Sequence, residues 1–238
     1  MMGKVIMSGI VPLLKAPANN PANYPAKFSD ATWVEIIDAC HKNQVPETWV
    51  VGDQKPMTIN GTAYAIDIIG KNHDTYAAGG KAPLTFQMHD CYADAKQMNS
   101  SDTNSGGWTN CAMRQTHLPA ILALMPTEVQ NGIREVNKLT SAGNRSATIN
   151  TTADKLFLLS EIEVFGNVSY SKSGEGTQYA YYKAGNSKVK NRNGSAYSWG
   201  ERSPHGSDSA YFCDVYNDGT PIYDDANLAN GVAFAFCF

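Results

Sequence analysis

The fold is decided by the final stretch of the chain, residues 199–238, which reads WGERSPHGSDSAYFCDVYNDGTPIYDDANLANGVAFAFCF. Trp199, Arg202 and Pro204 give it a bulky opening motif. Residues 231–238 are apolar throughout, which predicts a buried final strand. Between these ends, small polar residues and tyrosines follow neither a helical nor a strand period. The pattern therefore predicts a long loop that is held at both ends.

The same stretch uses a restricted set of residue types. Lys, Glu, Gln, Met and Trp are absent from residue 202 to residue 238, although each occurs elsewhere in the chain. The types that remain are those that an Asn codon ending in C or T yields when its two adenines are freely replaced. This indicates a segment diversified from Asn codons. The alternative is an ordinary surface loop rich in Asp, Asn, Gly and Ser.

Composition limits the classes of protein to which the chain can belong. A length of 238 residues with 42% hydrophobic residues predicts one large domain, or one domain with an extension. A net charge of −3 gives no electrostatic case for binding nucleic acid or an anionic membrane. Because no apolar run reaches about eighteen residues, no membrane span is expected. The five cysteines favour buried free thiols, with a Cys213–Cys237 disulfide as the alternative.

The N-terminal part differs in texture from the rest. Residues 1–27 are predicted to form an extended arm that is rich in proline in its second half. A short helix is predicted over residues 31–42, capped by Ser29 or Asp30. Its apolar face consists of Trp33, Ile36, Ile37 and Cys40. Such a face needs a partner, either the globular part or the same helix in other subunits. Residues 1–47 are therefore predicted to serve attachment or oligomerisation, with a homotrimer as one arrangement.

The middle of the chain alternates between strand and helix patterns. Asn60-Gly61 predicts a tight hairpin turn between two strands. Further strands are predicted at residues 84–88 and 156–160, helices at residues 111–124 and 127–139, and a long loop at residues 166–194. Strands early, helices in the middle and loops late predict an α+β class rather than an alternating parallel sheet.

Four motifs together resemble a family found in gut bacteria and their prophages. They are DKLFLLS at residues 154–160, WxxRSP at residues 199–204, the pair Val215 and Gly219, and GVAF at residues 231–234. The resemblance implies a C-type-lectin-like fold over residues 48–238, with a twisted antiparallel sheet, two helices and long loops. In such a fold the last strand returns beside the first.

The final stretch also resembles the variable region of target proteins of diversity-generating retroelements, and the opening VIMSGIVP resembles the start of phage or prophage structural proteins. These resemblances imply that residues 198–230, here called the tail segment, are diversified. They also imply a non-enzymatic, cofactor-free receptor-binding protein on a phage tail or a bacterial cell surface. Its ligand would be a protein or glycan on a bacterial surface, and its arm would contact other virion or surface proteins.

The predicted binding residues all lie in the tail segment and share small, polar or tyrosine side chains. They are His205, Gly206, Asp208, Ser209, Ala210, Tyr211, Asp214, Tyr216, Pro221, Tyr223, Asp224, Asp225, Asn227 and Leu228. The predicted scaffold residues are Trp199, Arg202, Pro204, Gly231 and Val232.

Two alternatives stay open at this point. An enzyme on the same scaffold would use His89 and Asp90 with acids of the tail segment, and it predicts that His89 lies close to those acids. A calcium-dependent lectin of fixed specificity would gather carboxylate oxygens around one ion. The acids available for that role are Asp208, Asp214, Asp224 and Asp225.

Overall fold

The computed structural model describes residues 24–238, so the predicted arm lies outside the described residues apart from residues 24–27. Six α-helices occur in this part of the chain: α1 (Trp33–His41), α2 (Gly107–Asn110), α3 (Leu118–Leu122), α4 (Thr127–Gly132), α5 (Glu161–Phe165) and α6 (Ala180–Lys183). A 3-10 turn (Phe28–Asp30) precedes α1, and a π-helical turn (Met113–His117) precedes α3.

Fourteen strands accompany the helices, and most are short. They are β1 (Gln54–Ile59), β2 (Thr62–Lys71), β3 (Leu84–Met88), β4 (Lys96–Gln97), β5 (Val136–Ser141), β6 (Ile149–Asp154), β7 (Leu156–Phe157), β8 (Lys190–Arg192), β9 (Ser195–Tyr197), β10 (Trp199–Pro204), β11 (Tyr211–Val215), β12 (Pro221–Asp225), β13 (Ala229–Asn230) and β14 (Ala235–Cys237). Helices mixed with antiparallel strands confirm the predicted α+β class.

The largest sheet has five strands in the order β1-β2-β3-β14-β7, and every pairing in it is antiparallel. The hairpin between β1 and β2 turns at Asn60 and Gly61, whose φ angles are 48° and 79°. Two consecutive positive φ values are what a two-residue hairpin turn requires. The turn predicted from the Asn-Gly pair is therefore confirmed.

The C-terminal strand lies inside this sheet. Residues 231–238 are all buried, and β14 pairs with β3 on one side and β7 on the other. Phe236 lies opposite Phe86, and their ring centroids are 5.3 Å apart. The predicted buried final strand is confirmed, and its two neighbours are β3 and β7 rather than the first strand of the chain.

Helix α1 packs on this sheet. Ile36 and Cys40 belong to the same buried core as β3 and β14, and Trp33 lies edge-on to Phe86. The globular part is therefore the observed partner of the helix's apolar face. The cap is Thr32, which forms a reciprocal capping box with Glu35, so the predicted caps Ser29 and Asp30 are wrong. Those two residues belong to the 3-10 turn instead.

The helix predicted over residues 127–139 is wrong in its second half. Helix α4 ends at Gly132, and Ile133 is extended with φ −64° and ψ 128°. Strand β5 then begins, with Val136 and Lys138 buried and Asn137 exposed. Buried residues at every second position are the strand period, which overlaps a helical stripe over short windows.

The helix predicted over residues 111–124 is also interrupted. Cys111 is extended at the end of α2, and the chain then makes a π-helical turn in which Leu118 N–H donates to Met113 O. Pro119 is the second residue of α3 and has no N–H to donate to the preceding turn. The regular α-helical hydrogen bonds of the predicted helix are therefore interrupted before α3.

The tail segment is more regular than the predicted loop. Strands β10, β11 and β12 form a three-stranded antiparallel sheet, in which Tyr211 pairs with Asp225 and Val215 with Pro221. Acids weaken the strand signal of this segment because Asp has low β propensity. Asn230 donates to the carboxylates of both Asp214 and Asp224, at 3.0 Å each, and so satisfies acids that the hairpin brings together.

Two smaller predictions change as well, and one is confirmed. The strand predicted at residues 156–160 is limited to β7, although the whole range is buried. The loop predicted at residues 166–194 contains α6 and β8. All five cysteines are buried free thiols, so the predicted thiol state is confirmed and the Cys213–Cys237 disulfide is not formed. Among residues 24–238, no helix has both the length and the apolarity that crossing a bilayer requires.

Candidate ligand-binding surface

The two ends of the tail segment touch each other. Trp199 and Gly231 form a parallel bridge, in which Gly231 N–H donates to Ser198 O and Gly200 N–H donates to Gly231 O. A Cβ atom at Gly231 would lie 2.6 Å from Cys91 Sγ, so a residue without a side chain is required there. Backbone hydrogen bonds therefore join the two ends of the tail segment to each other.

Arg202 holds the start of the segment to the interior. It is fully buried, and its guanidinium pairs with both carboxylate oxygens of Glu163. Lys138 also pairs with Glu163, at 2.8 Å, and with Asp74, at 2.8 Å. Burial alone would raise the pKa of Glu163, but Arg202 and Lys138 hold that pKa below its usual value. The predicted scaffold position thus lies at the centre of a buried ion network.

Four aromatic rings cluster on the outside of this frame. We call them the aromatic patch: Tyr170, His205, Tyr211 and Tyr223. The Tyr223 centroid lies 4.9 Å from Tyr170, 4.6 Å from His205 and 5.1 Å from Tyr211. All four side chains are at least partly exposed. The register of β11 and β12 explains part of the cluster, because residues opposite each other or two apart lie on the same face of a hairpin.

Carboxylates border the patch. The Asp225 and Asp208 carboxylates raise the pKa of the Tyr211 hydroxyl. Partial desolvation and the neighbouring Asp102 and Asp224 carboxylates raise the pKa of Asp225. The border therefore concentrates negative charge, and like charges held this close repel one another.

Backbone contacts hold the patch in place. The amides of Asp208 and Ser207 donate to His205 Nδ1, at 3.0 Å and 3.3 Å, so this nitrogen is the acceptor of the ring. Burial lowers the pKa of His205, which favours the same neutral form. Beneath the loop, Asn104 Nδ2 donates to the carbonyls of Asp208 and Tyr211, at 2.8 Å and 2.7 Å. The surface rests on a buried amide from a distant loop.

Most of the predicted binding residues reach the surface, and they do so in more than one place. At least partly exposed are His205, Asp208, Ser209, Ala210, Tyr211, Tyr216, Pro221, Tyr223, Asp224, Asp225, Asn227 and Leu228. Gly206 and Asp214 differ from the prediction, because both are buried. Asp214 points toward Asn230 within the fold, and Gly206 N–H donates to Tyr170 O. Tyr216 and Pro221 lie at the far end of the hairpin, about 14 Å along the strand from Tyr211.

The sequence did not point to Tyr170 or Asp102. Tyr170 comes from the stretch predicted as loop, where its amide and those of Ser169 and Ser171 donate to the Glu161 carboxylate. Asp102 lies in the polar loop between β4 and α2. The hydrogen bonds to Glu161 and the approach of two distant loops carry no signal in the local sequence pattern.

A buried acid lies behind the patch and makes stability depend on pH. Glu201 is fully buried, and within residues 24–238 neither of its carboxyl oxygens has a hydrogen-bonding partner. Burial, with the Glu161 and Asp214 carboxylates, raises the pKa of Glu201 well above its usual value. Burial likewise raises the pKa of Glu175 to about 7. Both folded-state acids thus retain protons that the unfolded chain has lost.

We expect Glu201→Gln to stabilise the protein increasingly as pH rises. The folded state binds the extra proton above the ordinary pKa of 4.5, so stability falls from there toward the folded-state pKa. Above the ordinary pKa and below the folded-state pKa, the variant should gain in unfolding free energy over the unmodified protein by at most about 1.4 kcal/mol per pH unit. Urea unfolding at each pH measures this gain. Glu128→Gln, at an exposed site, is the control. If the unfolding free energies of Glu201→Gln and the unmodified protein change in the same way with pH, the expectation is contradicted.

The residues of the two alternatives have other partners in the described part of the chain. His89 Nδ1 lies 2.8 Å from Asp67 Oδ2, and this hydrogen bond raises the pKa of His89. Within residues 24–238, no hydrogen bond or ion pair joins His89 to an acid of the tail segment, and Asp90 accepts from Asn191 instead. Nor do three His, Cys, Asp or Glu side chains of the described chain come close enough together to hold a metal ion. The four acids of the calcium-lectin alternative are therefore not gathered into one such group within the described residues.

Comparison with known proteins adds one finding. A sequence model for a single family matches residues 84–237, which run from the start of β3 to the end of β14 and include the aromatic patch. No curated protein and no solved structure is significantly similar to the chain. Because the match covers most of the sequence, the chain belongs to the family described as Domain of unknown function (DUF6273).

Proposed function

We propose that this protein is a ligand-binding protein of C-type-lectin-like fold whose tail segment is diversified by a retroelement. We propose further that it serves host-cell attachment by a phage, or display on a bacterial surface. The observation that carries the proposal is the bridge between Trp199 and Gly231, which closes the tail segment at its base. A segment closed in this way can change its outward residues while the frame stays folded.

The strand order supports the lectin-like part of the proposal. Such a fold returns its last strand beside its first. In the region that matches the family, β3 is the first strand and β14 the last, and the two pair antiparallel. The β1–β2 hairpin extends the same sheet beyond this pair.

The exposed chemistry supports ligand binding. Tyrosine offers a large rigid contact area with only two side-chain torsions to fix, and small polar residues adapt their hydrogen bonds to different partners. Tyr211 and Tyr223 lie together at the centre, with Ser209 and Asp208 at the edge. We propose that residues 1–47 serve attachment to other virion or surface proteins or oligomerisation, with a homotrimer as one arrangement.

The DNA tests diversification directly. We expect a near-identical template repeat and a reverse transcriptase gene beside the coding sequence, with template adenines aligned to the variable codons. Sibling clones from the same source should differ at the exposed tail positions and keep Trp199, Arg202 and Gly231. A locus with neither element, or siblings that vary equally throughout the chain, would count against the proposal.

Loss of the central tyrosines tests binding. We expect Tyr211→Ser/Tyr223→Ser to weaken attachment to bacteria from the same source by roughly thirtyfold, since aromatic hot spots contribute about 2 kcal/mol. Fluorescently labelled protein and flow cytometry measure this. Thermal unfolding should change little because both rings are partly exposed. Leu124→Ser removes an exposed apolar side chain elsewhere and should bind normally. Equal binding by the double variant would reject the surface as the binding site.

A further inference from the structure

We propose that the aromatic patch binds an arginine or lysine side chain of a protein partner. The inference rests on the proposed ligand-binding function and narrows it, because that function leaves protein and glycan ligands open. Two independent features point to a cation: the arrangement of the rings, and the sign of the charge around them.

The rings pack around Tyr223. Tyr170 and His205 stand at 70° and 64° to its plane, and Tyr211 is tilted by 44°. Because the rings touch one another and each is partly exposed, a ligand would meet the outward side of the cluster, where ring surface faces solvent. A cation over the face of a tyrosine is attracted by the ring quadrupole. A flat guanidinium stacks on such a face especially well.

The exposed charges of the tail segment are acidic. Residues 198–238 contain six acidic residues, of which Asp208, Asp218, Asp224 and Asp225 are at least partly exposed, and a single Lys or Arg, which is Arg202. Arg202 is buried and paired with Glu163, so the tail segment offers no lysine or arginine side chain to a ligand. Lys172, from the neighbouring loop, is the cation close enough to influence His205.

One bordering carboxylate belongs to Asp225, which lies opposite Tyr211 in the register of β11 and β12. Asp102 and Asp225 adjoin each other, both are exposed, and neither forms an ion pair within residues 24–238. Asp208 accepts from the amide of Ala210 and leaves its second oxygen for other donors. A guanidinium or ammonium group in the patch would relieve the repulsion between these acids and donate hydrogen bonds to them. An anionic ligand would increase the same repulsion.

The test uses short blocked peptides as probes. We compare acetyl-Gly-Arg-Gly-amide with the lysine peptide, with the glutamate peptide, and with the citrulline peptide, which matches arginine in shape but is uncharged. Titrations followed by amide and tyrosine ring chemical shifts measure affinity and place the contact. We expect the arginine peptide to bind about tenfold more tightly than the citrulline peptide, and to weaken severalfold between about 20 mM and about 300 mM salt.

Matched variants separate specific from general attraction. Asp102→Asn/Asp225→Asn should reduce arginine-peptide affinity about fivefold, whereas Glu128→Gln/Glu135→Gln removes the same charge from an exposed site elsewhere and should leave it unchanged. Equal binding of the arginine and citrulline peptides would overturn the inference, as would no binding of the arginine peptide at millimolar concentration. If bacterial attachment needs Tyr211 and Tyr223 but ignores salt and Asp102→Asn/Asp225→Asn, this inference fails while the proposed function stands.

Discussion

Replacing Arg202 with methionine should lower the free energy of unfolding by about 3 to 5 kcal/mol, because it leaves a buried carboxylate with one of its two cationic partners. Glu163 would keep Lys138, but Lys138 is shared with Asp74. The guanidinium also donates to Thr140 Oγ1 and to the carbonyl oxygens of Leu139, Leu158 and Glu175. Methionine fills part of the volume but satisfies none of these acceptors, and a buried acceptor left alone costs about 1 to 3 kcal/mol.

Two companion variants make this measurement specific. Arg192→Met removes the same charge from a partly exposed site where one carbonyl, that of Ala93, is contacted, so its cost should stay within about 1 kcal/mol. Arg202→Lys keeps the charge but loses the planar fork, and it should fall between the two. Urea unfolding at neutral pH measures all three. A loss below about 1 kcal/mol for Arg202→Met would show that the ion network does not hold the start of the tail segment.

The second large effect is expected at Gly143, which supports the tail segment from below. Its φ is +71°, and an added Cβ atom would lie 1.8 Å from the carbonyl oxygen of Asn104. Gly143→Ala therefore combines an unfavourable backbone conformation with a clash against main chain, and we expect it to cost more than about 3 kcal/mol. Because Asn104 donates to Asp208 and Tyr211, its displacement should also weaken attachment to bacteria.

Gly79 provides the matched control for this substitution. Its φ is +94°, and an added Cβ atom would meet nothing within 4 Å. Gly79→Ala carries the conformational cost alone, about 1 to 2 kcal/mol, and should leave binding intact. Chemical unfolding and exchange of the Asn104 amide, which donates to Ser209 O, measure the two effects. If the two alanine variants lower the free energy of unfolding equally, the loop that contains Asn104 moves aside without destabilising the protein, and the prediction is wrong.

Local signals in the sequence predicted some elements well. The Asn-Gly pair determines a turn within two residues, and the structure confirms that turn. The apolar run at the C-terminus has to be buried whichever strand it pairs with, and its burial is confirmed as well. Strand β5 was mistaken for helix because Val129, Ile133 and Val136 fit a helical stripe, while the strand period of Val136, Lys138 and Thr140 involves buried polar residues. Lys138 is buried only because Glu163 and Asp74 come to it from elsewhere.

The site was predicted in part for the same reason. Tyr211 and Tyr223 could be selected from the tail segment alone, since tyrosine among small polar residues is typical of a binding surface. Tyr170 is held beside them because its amide donates a hydrogen bond to the Glu161 carboxylate. Asn104 contacts the segment by donating to the carbonyl oxygen of Tyr211. Aspartate is usually exposed, which predicts Asp214 at the surface. In the structure Asp214 is buried, and Asn230 donates a hydrogen bond to its carboxylate. Such long-range pairings leave no trace in local pattern.

The bridge between Trp199 and Gly231 has a practical consequence for engineering. Neighbouring bridged strands lie about 4.7 to 4.9 Å apart, so a foreign peptide grafted between these two residues would have both its ends fixed at hydrogen-bonding distance. Doubling the length of such a graft adds only about 0.6 kcal/mol of closure entropy. A graft should therefore replace only the outward-facing residues between them, and it must keep Arg202, which pairs with Glu163, and the core residues Phe212 and Val215.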